Sequence, residues 1–175
     1  FIDGADSKSA NVEAQKDILL RLNTAREKGL NFHITHRPRN LGTRDNIKSG
    51  LDEVFSKEPF SLVLEDDCIP TPLFGKFVSS VRRQVEADSS LSVGTISGNY
   101  FGKPRPQIHL SKFPRTWGWA TWSHIWHTFE PSVSIGRDEL DEAINWAMGE
   151  GLFANFRKRH WRERYLESVS DRTMW

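Results

Sequence analysis

Cysteine is nearly absent. Cys68 stands alone in 175 residues, so no internal disulfide can form, and a reducing, cytoplasmic compartment is the natural expectation. No apolar run approaches the roughly 20 residues needed to span a bilayer, and no signal peptide is visible. Neither sign of charge prevails: 24 Lys and Arg against 23 Asp and Glu leave a formal net charge of +1. A chain whose main partner is nucleic acid usually carries a strongly basic surface, so that class is set aside. Neither glycine-rich phosphate signature occurs, GxGxxG or GxxxxGK followed by Ser or Thr, so a bound nucleotide would be held through side chains and metal. HExxH is missing, and one cysteine cannot build a zinc cage. There is no internal repeat and no low-complexity tract. The chain starts on Phe1 and stops on Trp175 without a polar tail, which reads as a piece truncated at both ends.

The residues present suggest one α/β domain. FID at 1–3 reads as the end of a strand. Residues 11–28 suit a helix with Val12, Ile18, Leu19 and Leu22 on one face, closed by Gly29. NFHITH at 31–36 is strand-like. Thr43 is the expected N-cap of a helix turning Ile47, Leu51, Val54 and Phe55 inward. Residues 60–64 form a further strand. Thr71 and Pro72 open a helix with Phe74, Phe77, Val78, Val81 and Val85 on one side, and 92–97 is a short strand. Strands alternating with helices predict βαβ units and a mostly parallel central sheet flanked by helices. After residue 97 the alternation stops: 98–107 is a loop, the next stretch is dense in aromatics, and 138–167 is mostly helical.

The stretch LVLEDDCIPTP, residues 62–72, carries the chemistry. A buried strand runs into Glu65, Asp66 and Asp67, whose mutual repulsion costs stability unless a cation sits among them. In open α/β sheets, ligands bind outside the carboxyl ends of the strands. Alternation along an extended chain sends Glu65 and Asp67 one way and Asp66 the other. Mg²⁺ or Mn²⁺ suits such a site, because these hard cations take one or two carboxylates plus substrate phosphates. The competing reading is a solvated acidic turn.

Taken in order, IDGADS, HRPRNLGTRDNIKSGLDEVF, LVLEDDCIPTP, ISGNYF and FPRTWGWATW resemble a nucleotide-sugar glycosyltransferase of the Rossmann-like GT-A fold. The chain is most similar to bacterial family 2-like transferases. It is more distantly similar to N-acetylglucosaminyltransferases that carry an EDD form of the DxD motif. The resemblance implies that Asp67 holds the metal bridging the diphosphate, Asp66 approaches the ribose, and Glu65 sits near the base or a metal-bound water. It implies a base contact for Asp3, and a base and phosphate wall from His36, Arg37, Arg39, Asn40 and, less directly, Arg44 and Lys48. It further implies a nucleotide-sugar-binding half at 1–100 and an incomplete acceptor-side half at 101–175. The family's first strand and first nucleotide loop would precede Asp3. The catalytic base of an inverting transferase must reach the acceptor hydroxyl; Asp171 is the nearest candidate, the matching position falling just past Trp175.

Trp117, Trp119, Trp122 and Trp126 crowd RTWGWATWSHIW. Indole faces stack on pyranose rings and anchor binding surfaces. Trp117, Gly118 and Trp119 are the expected acceptor or sugar contacts, and Trp122 and Trp126, at i and i+4 of a helix, the expected core. His124 and His127 read as helix-surface residues, and Asp138, Glu139, Asp141 and Glu142 as an acidic first helical turn. The basic run at 156–164 reads first as a solvated helix face. Its alternatives are an anionic membrane surface or a lipid-diphosphate acceptor.

The resulting expectation is a metal-dependent, inverting glycosyltransferase. It would transfer sugar from a nucleoside-diphosphate donor, UDP by default, to a glycan or lipid-linked acceptor in the cytoplasm or at the inner face of the membrane. A non-catalytic carbohydrate-binding module would use the tryptophans but leave the acids unexplained. A Mg-binding receiver module would need its acid pair earlier and a lysine late in the sheet. A glycosidase is disfavoured because adjacent acids on one strand cannot flank a bond from two sides.

Overall fold

The computed structural model describes residues 1–5, 9–98, 108–112, 115, 117–128, 136–149 and 155–163. It is a mixed α/β structure, with the helices α1 (Ser9–Glu27), α2 (Gly42–Phe55), α3 (Phe74–Ala87), α4 (Ser123–Trp126) and α5 (Arg137–Met148). Residues 155–163 are also helical. The strands are β1 (Phe60–Val63), β2 (Thr95–Ser97) and β3 (Trp119–Trp122). Two compact units divide the chain near the end of α2, one built on Phe1–Glu53 and one within Val54–Val169. The functional halves expected from the resemblance divide instead at residue 100.

In the first unit, Ile2 and His36 form a parallel bridge. The Ile2 N–H donates to the Thr35 carbonyl at 2.8 Å, and the Arg37 N–H donates to the Ile2 carbonyl at 2.9 Å. This is the parallel contact that two strands joined by a helix require, reduced to one bridge where the sequence suggested a strand over 31–36. α1 ends as expected at Gly29, whose φ of +87° lets the chain leave the helix. The Gly29 and Leu30 N–H groups return to the Arg26 and Ala25 carbonyls, closing a Schellman cap. The expected inward face of α1 holds only in part: Val12, Leu19 and Leu22 are half-buried, but Ile18 is exposed.

α2 starts at Gly42, ahead of the expected cap at Thr43. Its cap comes from a distant residue: Asp3 Oδ1 accepts from the Leu41 N–H at 2.8 Å, and Oδ2 accepts from the Gly42 N–H at 2.9 Å. A carboxylate at this end satisfies orphan amides and complements the helix dipole. The inward residues follow expectation, with Leu51 and Phe55 buried and Ile47 and Val54 half-buried.

The second unit is built on the sheet, in the order β1-β3-β2. Both pairings are antiparallel, Val63 opposite Trp119 and Ser97 opposite the same residue. β1 and β2 therefore run parallel to each other, joined through α3, but β3 is inserted between them. The mostly parallel sheet expected from alternation is not what these three strands form. Alternation in sequence says which strands a helix connects; it does not say whether a later strand will enter between them.

α3 packs its apolar stripe on one face of this sheet. Val78, Val81, Ile96, Ala120 and Trp122 form the buried cluster, with Phe60, Phe74, Phe77, Val85 and Val93 around it. All five residues expected on the inner side of α3 are there. The helix starts later than Thr71–Pro72 suggested: the Phe74 N–H donates to the Thr71 carbonyl at 3.0 Å, so those residues form the preceding turn. Ala120, with 0% exposure, sits opposite Leu62 and Ile96, a site too closed for a larger side chain. Trp122 ends β3 and precedes α4, so Trp122 and Trp126 do not share a helix as expected. Trp122 is nonetheless core. Its ring meets Phe60 edge-on at 5.1 Å, and its Nε1–H donates to Glu86 Oε1 at 3.0 Å. Trp126 is half-buried and packs on Phe55, ring centroids 6.1 Å apart. The buried Thr121 hydroxyl is satisfied by the Gly94 carbonyl at 2.7 Å.

α5 buries Leu140 and Ile144. Glu139 accepts from the Gly136 N–H at 3.1 Å, which fits the acidic first turn expected there. His124 and His127 are exposed, as expected.

Candidate functional site

The three acids do not continue β1. The strand ends at Val63, and the Cys68 N–H donates to the Glu65 carbonyl at 3.0 Å, closing a turn with Asp66 and Asp67 at its centre. The strict alternation expected of an extended chain therefore does not apply to these side chains. Asp66 and Asp67 are exposed and Glu65 is half-buried. Burial, then the charges of Asp67 and Asp66, raises the Glu65 carboxyl above its ordinary value. The Cys68 thiol donates to Asp67 Oδ1 at 3.6 Å. The acids are thus crowded at the end of a sheet strand with no cationic side chain among their hydrogen-bond partners in the described residues.

A cavity of about 410 Å³ opens beside this turn. Asp67, Cys68 and Thr71 line it from the acidic side, and Trp117 and Gly118 from the segment that enters β3. Phe74 lies against two glycines at the sheet end. A Cβ on Gly98 would fall on the Phe74 ring, and one on Gly118 would sit 3.4 Å from it. Gly118 also has φ +70°, a region that other residues enter only at a cost. Bare backbone at both positions lets the phenyl ring seat there. Trp117 is 52% exposed at the cavity edge.

Of the residues expected at the site, Asp67, Trp117 and Gly118 meet in this one cavity. Glu65, Asp66 and Trp119 do not line it. Trp119 opens β3 and pairs with Val63 and Ser97. Sequence reasoning missed Cys68, Thr71, Phe74 and Gly98; the signal available was small residues at two strand ends, Gly98 after β2 and Gly118 before β3.

The other candidates belong to the first unit. Asp3 accepts three backbone N–H bonds, from Gly4 as well as Leu41 and Gly42. Asn40 donates to the Gly4 carbonyl at 2.8 Å and accepts from the Gly42 N–H at 3.0 Å. Arg37 donates to Ser49 Oγ at 3.1 Å, lies 3.9 Å from Glu53, and stacks on the Phe1 ring at 5.6 Å. These three side chains therefore tie the 37–42 loop to the chain start and to α2. Lys48 pairs with Asp52 at 2.7 Å. His36 and Arg39 are exposed, and Arg44 is half-buried. Asp171 lies outside the described residues.

Whether the acids suit Mg²⁺ or Mn²⁺ follows from the donor set. Among the described residues, no three His, Cys, Asp or Glu side chains converge on one point, so a closed protein cage does not fit. An exposed oxygen donor beside like-charged neighbours does fit an ion that takes one or two carboxylates and draws its other ligands from phosphate and water. No Lys or Arg lines the cavity among the described residues.

No protein-family model, curated protein or solved structure matches this chain.

Proposed function

We propose that the chain is the nucleotide-sugar-binding part of a metal-dependent glycosyltransferase of the GT-A type. The observation that carries the reading is the meeting of Asp67 with Trp117 and Gly118 around one cavity. The residues come from the two segments that the resemblance assigns to the donor and to the sugar or acceptor. The cavity sits outside the carboxyl end of β1.

Asp67, with Glu65 or Asp66 nearby, would hold Mg²⁺ or Mn²⁺. When bound, such an ion would offset charge on the departing diphosphate as a Lewis acid. Trp117 would offer an indole face to a pyranose ring, and Phe74 an apolar wall. The donor is a nucleoside diphosphate sugar, with UDP the first choice, and the acceptor a glycan or a lipid-linked glycan. Transfer with inversion needs a base at the acceptor hydroxyl, for which Asp171 is the candidate. Placement in the cytoplasm belongs to the same reading. A non-catalytic sugar-binding module is the second reading, favoured by the exposed Trp117 at a cavity with several apolar walls.

Calorimetric titration of UDP, GDP and CMP, each with and without Mn²⁺, separates the two. The expected result is UDP binding that strengthens with Mn²⁺. Asp67→Ala should abolish that increment while the circular dichroism spectrum stays unchanged. Equal affinity with and without metal, or an unaltered increment in the variant, would sink the proposal. Sugar affinity without any metal dependence would favour the second reading.

A further inference from the structure

One wall of the cavity is fixed from behind. Phe74 opens α3, and its ring packs against the buried cluster that α3 shares with the sheet. It stacks on Phe77, ring centroids 6.5 Å apart with 22° between the planes. Two glycines close off further sides. A Cβ on Gly98 would land on the Cδ2–Cε2 side of the ring, and one on Gly118 would stand 3.4 Å from Cζ. Leu64 Cδ2 lies 3.6 Å from that second point. Gly118 is also required by its φ of +70°. Gly98 does not enter the left-handed region, so the reason a side chain does not fit there is the Phe74 ring itself.

The ring thus has core behind it, bare backbone at two sides and the cavity in front. Close-packed interiors transmit strain instead of absorbing it. A push from Gly98 would therefore drive the ring forward, and a shorter side chain at 74 would let the wall recede. A phenyl face offers no hydrogen bond, so it sorts what enters by bulk. Asp67 and Thr71, on the same cavity, supply the polar contacts. In such a pocket one methylene more or less changes relative affinity about tenfold or more.

We propose that Phe74 is the specificity-determining residue of this cavity: its ring sets how bulky a sugar is admitted beside Asp67. The inference rests on the reading of the cavity as the place of the donor's sugar.

Calorimetry with Mn²⁺ present tests it on the parent chain and on Phe74→Leu, Phe74→Met and Gly98→Ala. The ligands are UDP, UDP-xylose, UDP-glucose and UDP-N-acetylglucosamine, the sugars rising in bulk. Both Phe74 variants should raise the affinity for the bulkiest sugar relative to the smallest by about tenfold. Gly98→Ala should lower the same ratio by a similar factor. UDP, with no sugar to meet the ring, should bind the parent and every variant alike. Melting curves taken in parallel show which variants are folded at the titration temperature. Phe74→Met, whose flexible side chain cores accommodate, keeps the measurement open if another variant fails to fold. Absence of UDP binding by the parent would remove the donor reading and this inference with it. UDP binding retained with an unchanged order of sugars would overturn this inference alone. A ratio moved in the same direction by the Phe74 and Gly98 variants would also overturn it, because general disturbance of the fold would then be the cause.

Discussion

Two acidic sites, one in each unit, show how differently a carboxylate can be treated. Asp3 in the first unit is enclosed by backbone: the N–H groups of Gly4, Leu41 and Gly42 converge on it, and Gln15 bonds its carbonyl at 2.6 Å. The acids of the second unit stand at a turn among like charges, with the Cys68 thiol as a weak donor to Asp67. The first arrangement consumes acceptor capacity and holds a helix start in place. The second leaves oxygen atoms open to something from outside. Sequence alone gives both the same look, an acid just after a short apolar strand.

The comparison can be broken by experiment, and the largest effect is expected at Gly4. A Cβ there would land on the Arg39–Asn40 peptide. Gly4→Ala should cost about 3 kcal/mol in denaturant unfolding, the upper range for overpacking against backbone that cannot yield. A loss under 1 kcal/mol would mean that the 37–42 loop is not seated on Gly4.

Next comes Asp3→Ala, which strips the cap from α2 and leaves amides unpaired. It should cost about 1–3 kcal/mol, with lost helicity in circular dichroism. If stability instead holds and UDP affinity falls, Asp3 serves a ligand and the contrast drawn above is wrong.

Asp67→Asn should behave in the opposite way. Removing one of three crowded charges should shift stability by no more than about 0.5 kcal/mol, and upward. A clear destabilisation would show that the acidic turn, too, is structural.

The smallest effect is a pH dependence. The Glu65 carboxyl is raised above its ordinary 4.5, so the native chain favours its neutral form. Stability from this group is full below 4.5 and declines as pH rises through the raised folded value. Glu65→Gln should flatten that decline in urea midpoints taken from pH 4 upward. Glu86 carries the opposite sign, since bonds from Arg82 and Trp122 lower its carboxyl. Its contribution is present above the ordinary 4.5 and fades as pH falls through the lowered folded value, so Glu86→Gln should lower stability above 4.5 and converge on the parent's curve in acid. A Glu65→Gln curve parallel to the parent's would remove the crowding argument.

Local signals in the sequence carried far. Apolar spacing in α3 pointed to the side that packs on the sheet, and Gly29 marked the end of α1, because both depend on neighbours within a turn or two. Distant partners could not be read. The cap of α2 comes from a residue 38 positions away, so the nearby Thr43 looked the better choice. β3 was missed because Trp119–Trp122 was read as part of an aromatic block; its alternation of Trp119 and Thr121 with Ala120 and Trp122 was the available strand signal. At the site, Asp67, Trp117 and Gly118 were legible as residue types suited to metal and sugar. That Phe74 would fill the space between Gly98 and Gly118 was not, since it depends on how two strand ends approach one helix.

The insertion of β3 also orders events in time. Among the described residues β1 and β2 each pair only with β3, so until Trp119–Trp122 has emerged that pairing cannot form, and a ribosome adding about 5–20 residues per second leaves them waiting for seconds. During that interval Phe60–Val63 and Ile96 are open to other chains, and a nascent polypeptide stalled before Trp119 should be far more prone to aggregate than one stalled after Trp126.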